Sequence, residues 1–362
     1  METPVSVLQR YWKHSHFRPL QEDIIQSVIQ GVDTLAILPT GGGKSVCFQI
    51  PALLREGICI VVTPLIALMK DQVGQLRDRG IIAVAVHSGL SRHEIDLHLN
   101  NAMFGDIRFL YVSPERLQTD IFRERFRQMR VGLIAVDEAH CISQWGYDFR
   151  PPYLQIASLR EIKPDVPIIA LTATATKEVR EDIMSKLAFK KNSALFQKSF
   201  ARDNLSFVVR KTDNKERQVV EILQKVQGTS IIYVRSRKAT QDTARWLSRK
   251  NISATFYHAG LTFEERTRRQ EEWIRNKKRV MVATNAFGMG IDKPDVRIVI
   301  HMDLPENLEA YYQEAGRAGR DGLRSFAVVL YQDADTANLI RKTEQSQPSF
   351  EYLAKVYQAL SN

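Results

Sequence analysis

The chain has 362 residues, enough for two domains, and its formal charge of +10 fits either a polyanionic partner or a merely basic surface. A hydrophobic fraction of 44% and a charged fraction of 25% are typical of globular proteins and exclude a disordered or fibrous chain. Three scattered cysteines exclude a disulfide framework and a Cys-x-x-Cys zinc site and indicate an intracellular protein, and no apolar run is long enough to span a bilayer.

The first half of the chain predicts a parallel α/β sheet. Six short apolar runs alternate with longer amphipathic stretches within residues 33–175, a pattern typical of buried strands in βα units. The runs are TLAIL, ICIVVT, AVAVH, FLYVS, GLIAVD and IIALTA. We assign this first lobe to residues 1–205.

A glycine-rich segment, PTGGGKS at residues 39–45, follows the first predicted strand. Glycines let backbone N–H groups close around phosphate oxygens, and a helix that follows presents its positive end to them. In this interpretation Lys44 reaches the β- and γ-phosphates of ATP and Ser45 binds Mg²⁺. The strict phosphate-loop pattern has glycine where Leu38 stands, so the segment alone is also compatible with a turn that binds no nucleotide.

Two adjacent acids, Asp137 and Glu138, end the predicted strand GLIAV. The carboxyl ends of parallel strands form the edge of the sheet where ligands bind, so we expect Asp137 to hold Mg²⁺ and Glu138 to activate the attacking water. Alone, the string DEAH is also compatible with the start of a helix. Together with the glycine-rich segment, it predicts a site that hydrolyses a nucleotide.

Aromatic residues alternate with small or charged ones directly after these acids. Trp145, Tyr147 and Phe149 suit a loop, which we call the aromatic loop, that stacks on bases, and one such stack is worth roughly 1 to 3 kcal/mol. The alternative is a set of aromatic side chains that fill a core. Thr172 and Thr174 end the sixth predicted strand, where their hydroxyls lie either beside a nucleotide or at a helix cap.

The same rhythm resumes after a polar stretch at residues 199–215, which we interpret as the joint, centred on residues 202–207. The runs SIIYV, SATFYH, RVMVAT, RIVIHM and AVVLY predict a second parallel sheet in a lobe of residues 206–345. Residues 346–362 predict a C-terminal helix. We expect its apolar face to pack on the second lobe, with an interface to a further module as the alternative.

The second lobe has no Gly-Lys loop of its own, but it contains QEAGRAGRDG at residues 313–322. Arg317 and Arg320 are three residues apart, on one face if the segment is helical. Guanidinium groups suit the charge of a phosphoryl-transfer transition state, and such an arginine typically raises turnover about 10³ to 10⁵ fold. The segment GMGID at residues 288–292 also ends a predicted strand. Each of these segments alone is compatible with a turn or a helix surface.

In this order, PTGGGKS, DEAHCISQWGYDFRPPY, ALTATAT, GMGIDKPDVR and YYQEAGRAGRDG resemble the motifs of superfamily-two helicases in their RecQ form. The resemblance covers residues 17–331. It implies two tandem RecA-like α/β lobes with the nucleotide site in the cleft between them, and ATP and Mg²⁺ as cofactors without zinc. It also implies an ATP-dependent DNA helicase that acts on single-stranded and tailed duplex DNA and moves 3′ to 5′. We expect a cytoplasmic monomer that takes part in DNA repair and recombination.

The resemblance also assigns roles to individual residues. Arg18 and Gln21 would recognise adenine, and Arg320, with Arg317 as the second choice, would stabilise the transition state. The expected ATP-binding residues are Arg18, Gln21, Thr40, Gly41, Gly42, Gly43, Lys44, Ser45 and Asp292. The expected catalytic residues are Lys44, Asp137, Glu138, Gln313, Arg317 and Arg320, and the residues expected to bind DNA or couple it to hydrolysis are Trp145, Phe149, Arg150, Thr172 and Thr174.

The sequence departs from the family pattern at three places. Tyr147 replaces a usual histidine in the aromatic loop, and Trp12, Lys13 and His14 replace Phe-Gly-Tyr, which would leave adenine stacking to His14. The zinc-binding and winged-helix modules that usually follow the core are absent, so we expect a fragment or a minimal member with weak strand separation. A DNA-dependent translocase with little unwinding, an RNA helicase, a binding module that uses ATP only as a ligand and a small-molecule kinase are the alternatives.

Overall fold

Parallel sheets dominate both halves of the computed structural model, which describes residues 2–39, 41–146, 148–199, 201–288, 293–346 and 349–361. The chain divides into two units, the first running to Ala201 and the second starting at Arg202. Among the described residues, the strand pairs in both sheets are parallel. The predicted class, two α/β lobes with parallel sheets, is therefore confirmed.

The first unit contains a seven-stranded sheet in the order β3-β4-β2-β5-β6-β1-β7. Its strands are β1 Thr34–Ile37, β2 Ile58–Val62, β3 Ala83–Val86, β4 Phe109–Val112, β5 Val131–Val136, β6 Ile168–Thr172 and β7 Ala194–Gln197. Its helices are α1 Pro4–Val7, α2 Gln21–Ile29, α3 Lys44–Leu54, α4 Ile66–Asp78, α5 Arg92–Phe104, α6 Asp120–Gln128, α7 Ala157–Ile162 and α8 Lys177–Lys186. Buried apolar side chains cover both faces of the sheet, which is why its central strands are almost continuously hydrophobic.

The second unit contains a six-stranded sheet in the order β10-β11-β9-β12-β13-β8. Its strands are β8 Leu205–Lys211, β9 Thr229–Tyr233, β10 Ala254–Tyr257, β11 Val280–Ala283, β12 Val296–His301 and β13 Ser325–Tyr331. Its helices are α9 Lys215–Lys225, α10 Arg237–Arg249, α11 Phe263–Ile274, α12 Leu308–Ala315, α13 Asp333–Ser346 and α14 Phe350–Ser361. The core of this unit again lies around a hydrophobic parallel sheet.

Every apolar run predicted as a strand forms one, and β7 and β8 are additional. Strand β8 begins at Leu205, within the predicted joint of residues 202–207, and the two units divide just before that joint, between Ala201 and Arg202. It lies at the edge of its sheet, where Leu205 is buried but most of the following side chains are exposed. Because only part of this edge strand is buried, its sequence lacks the long apolar run that marks a central parallel strand.

Helix α14 forms at the predicted C-terminal helix, but its expected packing is wrong. Phe350, Leu353 and Tyr357 are 86%, 51% and 75% exposed. The spacing of apolar residues predicts a helix, but it does not specify the surface against which that helix packs. In the described part of the chain, no helix combines the length and apolar character that a membrane span needs.

Candidate active site

The glycine-rich segment lies between β1 and α3, and Lys44 is the first residue of the helix. A Cβ on Gly42 would lie 2.8 Å from the Pro39 carbonyl oxygen, and one on Gly43, whose φ is +74°, would overlap the side-chain amide of Gln21. Glycine is therefore required at both positions, and the loop backbone lies at the positive end of α3. Ser45 follows Lys44 in the first turn, whereas Thr40 of the expected set lies outside the described residues.

Arg18 and Gln21 lie beside this loop and contact its backbone. Gln21 Nε2 donates to the carbonyls of Gly42 and Gly43 at 3.3 and 3.1 Å. The Arg18 guanidinium donates to the Gly41 carbonyl. The Arg18 backbone N–H donates to Gln21 Oε1 at 2.9 Å. The two residues expected at adenine are thus held against the segment expected at the phosphates.

Asp137 and Glu138 follow β5 and are both almost completely buried. Asp137 Oδ1 accepts from the Glu138 backbone N–H at 3.0 Å, while Lys44 lies near enough to favour the ionised Asp137 carboxylate. Burial first, and then the neighbouring Glu138 carboxylate, raise the pKa of Asp137 to about 6. A cation bound beside Asp137, in addition to Lys44, would offset both the burial and the repulsion from Glu138.

The backbone of Glu138 is left-handed, with φ of +49° and ψ of +46°, and a turn of 3-10 helix at Ala139–Ile142 follows. Such a conformation costs a non-glycine residue of order 1 to 3 kcal/mol and is found most often at functional sites. Glu138 Oε2 is buried and accepts no hydrogen bond within the described residues. The alternative in which the DEAH string begins a helix applies only to Ala139–Ile142, the short 3-10 turn that follows the two acids.

A buried polar chain contacts the second carboxylate oxygen of Asp137, and sequence reasoning missed it. Gln72 Nε2 donates to Asp137 Oδ2 at 3.4 Å, and the Tyr111 hydroxyl donates to Gln72 Oε1 at 2.9 Å. Gln49 Nε2 in turn donates to the Tyr111 hydroxyl at 3.3 Å. The sequence holds one indication of this role: Gln72 is a polar residue three positions after Met69, on the buried face of α4.

His140 connects the acids to the end of β6. Its Nδ1 lies 2.9 Å from Thr172 Oγ1 and 3.4 Å from Glu138 Oε2. Burial lowers the pKa of His140 to about 3, so the ring is neutral and the contact with Glu138 is not an ion pair. Because Thr172 Oγ1 donates to the Thr174 carbonyl at 3.0 Å, its lone pairs face the His140 N–H.

Thr172, which is expected to bind DNA or to couple it to hydrolysis, is completely buried, and its hydroxyl contacts His140. The alternative, a threonine-rich helix cap, is met in this segment by Thr176, whose side chain accepts from the Val179 N–H in the first turn of α8, while Thr172 contacts His140.

The aromatic loop continues from the 3-10 turn that follows Glu138. Trp145 is 77% exposed, which contradicts the alternative that this side chain fills a core, and Phe149 is half-buried. The Arg150 guanidinium pairs with Asp148 at 3.0 Å and donates to the Pro64 carbonyl at 3.3 Å. Tyr147 lies outside the described residues.

In the second unit, Gln313 is buried in α12, but the two arginines lie beyond the helix, which ends at Ala315. The condition for a shared helical face is therefore not met. Arg317 is 5% exposed, and its guanidinium donates to the Gly288 carbonyl. A Cβ added to Gly288 would overlap this guanidinium. Arg320 is half-buried, and Asp292 lies outside the described residues.

Mg²⁺ that arrives with a nucleotide needs only one or two protein ligands, because phosphate and water oxygens supply the rest. Asp137 carries a desolvated carboxylate, and the Ser45 hydroxyl stands on the first turn of α3. These residues fit such an ion. A cluster of three or more potential ligands among His, Cys, Asp and Glu does not occur in the described ranges.

Comparison with known proteins gives matches to two family models. Residues 18–182 match the model described as DEAD/DEAH box helicase, and residues 214–322 match the helicase conserved C-terminal domain. The chain is 44% identical over 359 residues to an ATP-dependent DNA helicase RecQ of Bacillus subtilis, covering 98% of this chain and 61% of that protein. The corresponding values for the Haemophilus influenzae RecQ are 43% identity, 96% and 57%. The chain thus spans about three fifths of the length of these relatives.

Solved structures give the same fold. The Mycobacterium smegmatis helicase Lhr, bound to single-stranded DNA and AMP-PNP, aligns with a TM-score of 0.70 at 21% identity, covering 91% of this chain and 48% of that one. At this identity the likeness supports the arrangement of sheets and helices and no finer statement.

Proposed function

This chain belongs to the RecQ family of DEAD/DEAH box helicases, and from that premise we propose that it is an ATP-dependent DNA helicase stimulated by single-stranded DNA. One observation carries the proposal: a glycine-restricted loop that ends in Lys44 lies in the same unit as two buried acids, one of them strained and unsatisfied. Two buried carboxylates, one on a strained backbone, lower the stability of the fold, so folding alone does not explain them. Hydrolysis of ATP gives each carboxylate a role.

The first unit holds and cleaves ATP. Lys44 and the loop N–H groups bind the β- and γ-phosphates, while Ser45 and Asp137 hold Mg²⁺, which when bound neutralises charge on the phosphate oxygens. Glu138 orients a water and accepts its proton as the water oxygen bonds to the γ-phosphorus and the bond to the ADP oxygen breaks. Its buried, unsatisfied Oε2 supports this role.

Arg18 and Gln21 recognise the adenine, and the remaining loop residues, Thr40 and Gly41 among them, surround the phosphates. Because both side chains also hold the loop backbone, adenine binding would change the contacts of the phosphate loop. Asp292 is proposed at the same nucleotide.

The second unit supplies charge to the transition state. We assign this role to Arg320, since Arg317 is buried beneath Gly288 within its own unit, and we place Gln313 beside it. An arginine in this role is worth about 10³ to 10⁵ in turnover. Arg317 then shapes the segment that contains Gly288.

DNA acts through the aromatic loop. Trp145 and Phe149 stack on bases of a single strand, Arg150 binds its backbone, and the loop transmits occupancy along the chain to Glu138. Thr172 and Thr174 link the same acids to β6 through His140. The net charge of +10 fits this partner, and we propose an intracellular, DNA-associated monomer that moves 3′ to 5′.

Strand displacement on tailed duplexes tests the proposal. With ATP and Mg²⁺, a duplex with a 3′ single-stranded tail should be separated, whereas a blunt or 5′-tailed duplex should not, and Glu138→Gln should abolish the reaction. Preference for the 5′ tail would contradict the proposed direction. DNA-stimulated hydrolysis without any displaced strand would instead indicate a translocase, and stronger stimulation by RNA of equal length would indicate an RNA helicase.

A further inference from the structure

Two side chains at the start of the second unit hold the segment that carries Arg317 and Arg320. We call residues 316–322 the arginine loop. Arg202 Nη1 donates to the Gly316 carbonyl at 3.2 Å, and its Nη2 donates to the Ala318 carbonyl at 3.0 Å and to the Gly319 carbonyl. One guanidinium thus binds three carbonyl oxygens of the loop.

Asn204 completes this clamp. Its Nδ2 donates to the carbonyls of Gly319 and Leu323 at 2.8 and 3.0 Å. Its Oδ1 accepts from Arg202 Nη2 at 3.3 Å, which fixes the amide so that its N–H groups face the loop. The Asn204 carbonyl also accepts from the Ser325 N–H at 2.8 Å, so β13 anchors the clamp.

The arginine loop depends on such contacts because it is not helical. Helix α12 ends at Ala315, so the loop beyond it is not held by a continuing ladder of helical hydrogen bonds; of the three carbonyls that Arg202 binds, that of Gly319 also accepts from the Gly322 N–H, at 3.1 Å. Gly319 has a φ of +63°, and a Cβ there would lie 2.6 Å from Asn204 Nδ2. The loop therefore packs directly onto the clamp, with a second anchor where the Gly319 N–H donates to the Val296 carbonyl at 2.8 Å.

We propose that Arg202 and Asn204 are positioning residues for Arg320, holding the arginine loop in the backbone conformation from which that guanidinium meets the phosphates. This inference rests on the proposed function of Arg320. A catalytic group must be held close to its productive geometry by surrounding contacts, and a displacement of about 1 Å can cost about 100-fold in rate. A lysine at position 202 offers one small ammonium group instead of a planar fork, so it cannot bind the three carbonyls in the same way.

Kinetics of Arg202→Gln, Arg202→Lys and Asn204→Ala test the proposal. We expect kcat for ATP hydrolysis to fall about 10- to 100-fold in Arg202→Gln, with KM for ATP and affinity for single-stranded DNA unchanged, and Arg202→Lys to restore it only in part. Arg210→Gln is the matched control, because Arg210 lies on β8 of the same unit, is exposed and donates to the Gln218 side chain and not to the arginine loop. It should retain the rate of the wild type.

A double variant decides whether Arg202 acts through Arg320. If it does, Arg202→Gln combined with Arg320→Ala should be no slower than Arg320→Ala alone, because the group being positioned is already gone. Multiplicative losses in the double variant, or a rise in KM with kcat unchanged, would overturn the proposal.

Amide hydrogen exchange separates this inference from the proposed function. Arg202→Gln should accelerate exchange at Gly319 and at Asp321, whose N–H donates to the Pro294 carbonyl at 3.2 Å, whether or not the protein hydrolyses ATP. Unchanged exchange in the loop would refute the clamp itself. If Arg202→Gln does not fold, Asn204→Ala removes two of the donated bonds with a smaller change and should give the same pattern to a lesser degree.

Discussion

Replacing Gln72 with leucine tests how the buried carboxylate of Asp137 is held. The leucine keeps most of the side-chain volume but removes the donor 3.4 Å from Asp137 Oδ2 and the acceptor 2.9 Å from the Tyr111 hydroxyl. Tyr111 is completely buried, so its hydroxyl loses its acceptor where no bulk water can replace it. A stranded buried polar group costs about 1 to 3 kcal/mol, and we expect the free energy of unfolding to fall by that amount.

The same substitution should weaken the hold on Mg²⁺. Without the Gln72 amide the Asp137 carboxylate gains rotational freedom, and loss of a residue that orients a metal ligand typically costs 10- to 100-fold in metal affinity. We therefore expect the Mg²⁺ concentration for half-maximal ATP hydrolysis to rise by about 10-fold or more in Gln72→Leu. Nucleotide binding in the presence of a chelator should stay at the level of the wild type.

Gln75→Leu is the matched control for this experiment. Gln75 lies on the same helix, α4, but it is exposed, and its side chain donates to Asp71 at 2.8 Å. Urea denaturation and a Mg²⁺ titration of ATP hydrolysis should give wild-type values for this variant. Equal Mg²⁺ requirements in Gln72→Leu, Gln75→Leu and the wild type would refute the role assigned to Gln72.

Three other substitutions address the stability of the first unit and its coupling. Asp33→Ala should lower the free energy of unfolding by about 3 to 5 kcal/mol in urea denaturation, because it strands the buried Arg160 guanidinium that Asp33 binds at 2.6 Å, and a loss below about 1 kcal/mol would contradict this. Asp137→Asn should raise the melting temperature of the nucleotide-free protein more near about pH 8 than near about pH 5. The pKa of Asp137 is about 6 in the folded protein against an ordinary 3.8, so the folded state binds the proton more tightly than the unfolded state does. The stability that Asp137 contributes therefore falls as pH rises from 3.8 to about 6. An equal gain in melting temperature at both pH values would contradict this reasoning. Thr172→Val removes the hydroxyl at 2.9 Å from His140 Nδ1 and should reduce the ratio of ATP hydrolysis with and without single-stranded DNA, whereas an unchanged ratio would contradict a coupling role.

Most of the sheet framework was predictable because parallel strands buried on both faces must be continuously apolar. The runs that became β1 to β6 and β9 to β13 have this property. Strands β7 and β8 do not, since each has a partly exposed, alternating pattern at the edge of its sheet. Local sequence cannot distinguish such an edge strand from a polar connection.

The candidate site was predictable where its chemistry requires residue types in a fixed local order. The glycines before Lys44 and the adjacent acids at the end of β5 are of this kind. Gln72 and Arg202 were missed because each acts on a segment far away in the sequence, across 65 residues to Asp137 and 114 or more to the arginine loop. Such contacts appear only when the fold brings the segments together.

Phosphate release with and without single-stranded DNA is the most direct test of the central claim that Lys44, Asp137 and Glu138 hydrolyse ATP in response to DNA. We predict that DNA raises the steady-state rate many-fold in the wild type, and that Lys44→Ala and Glu138→Gln release almost no phosphate under either condition. A rate that does not change when DNA is added, or a Glu138→Gln variant as active as the wild type, would contradict the account.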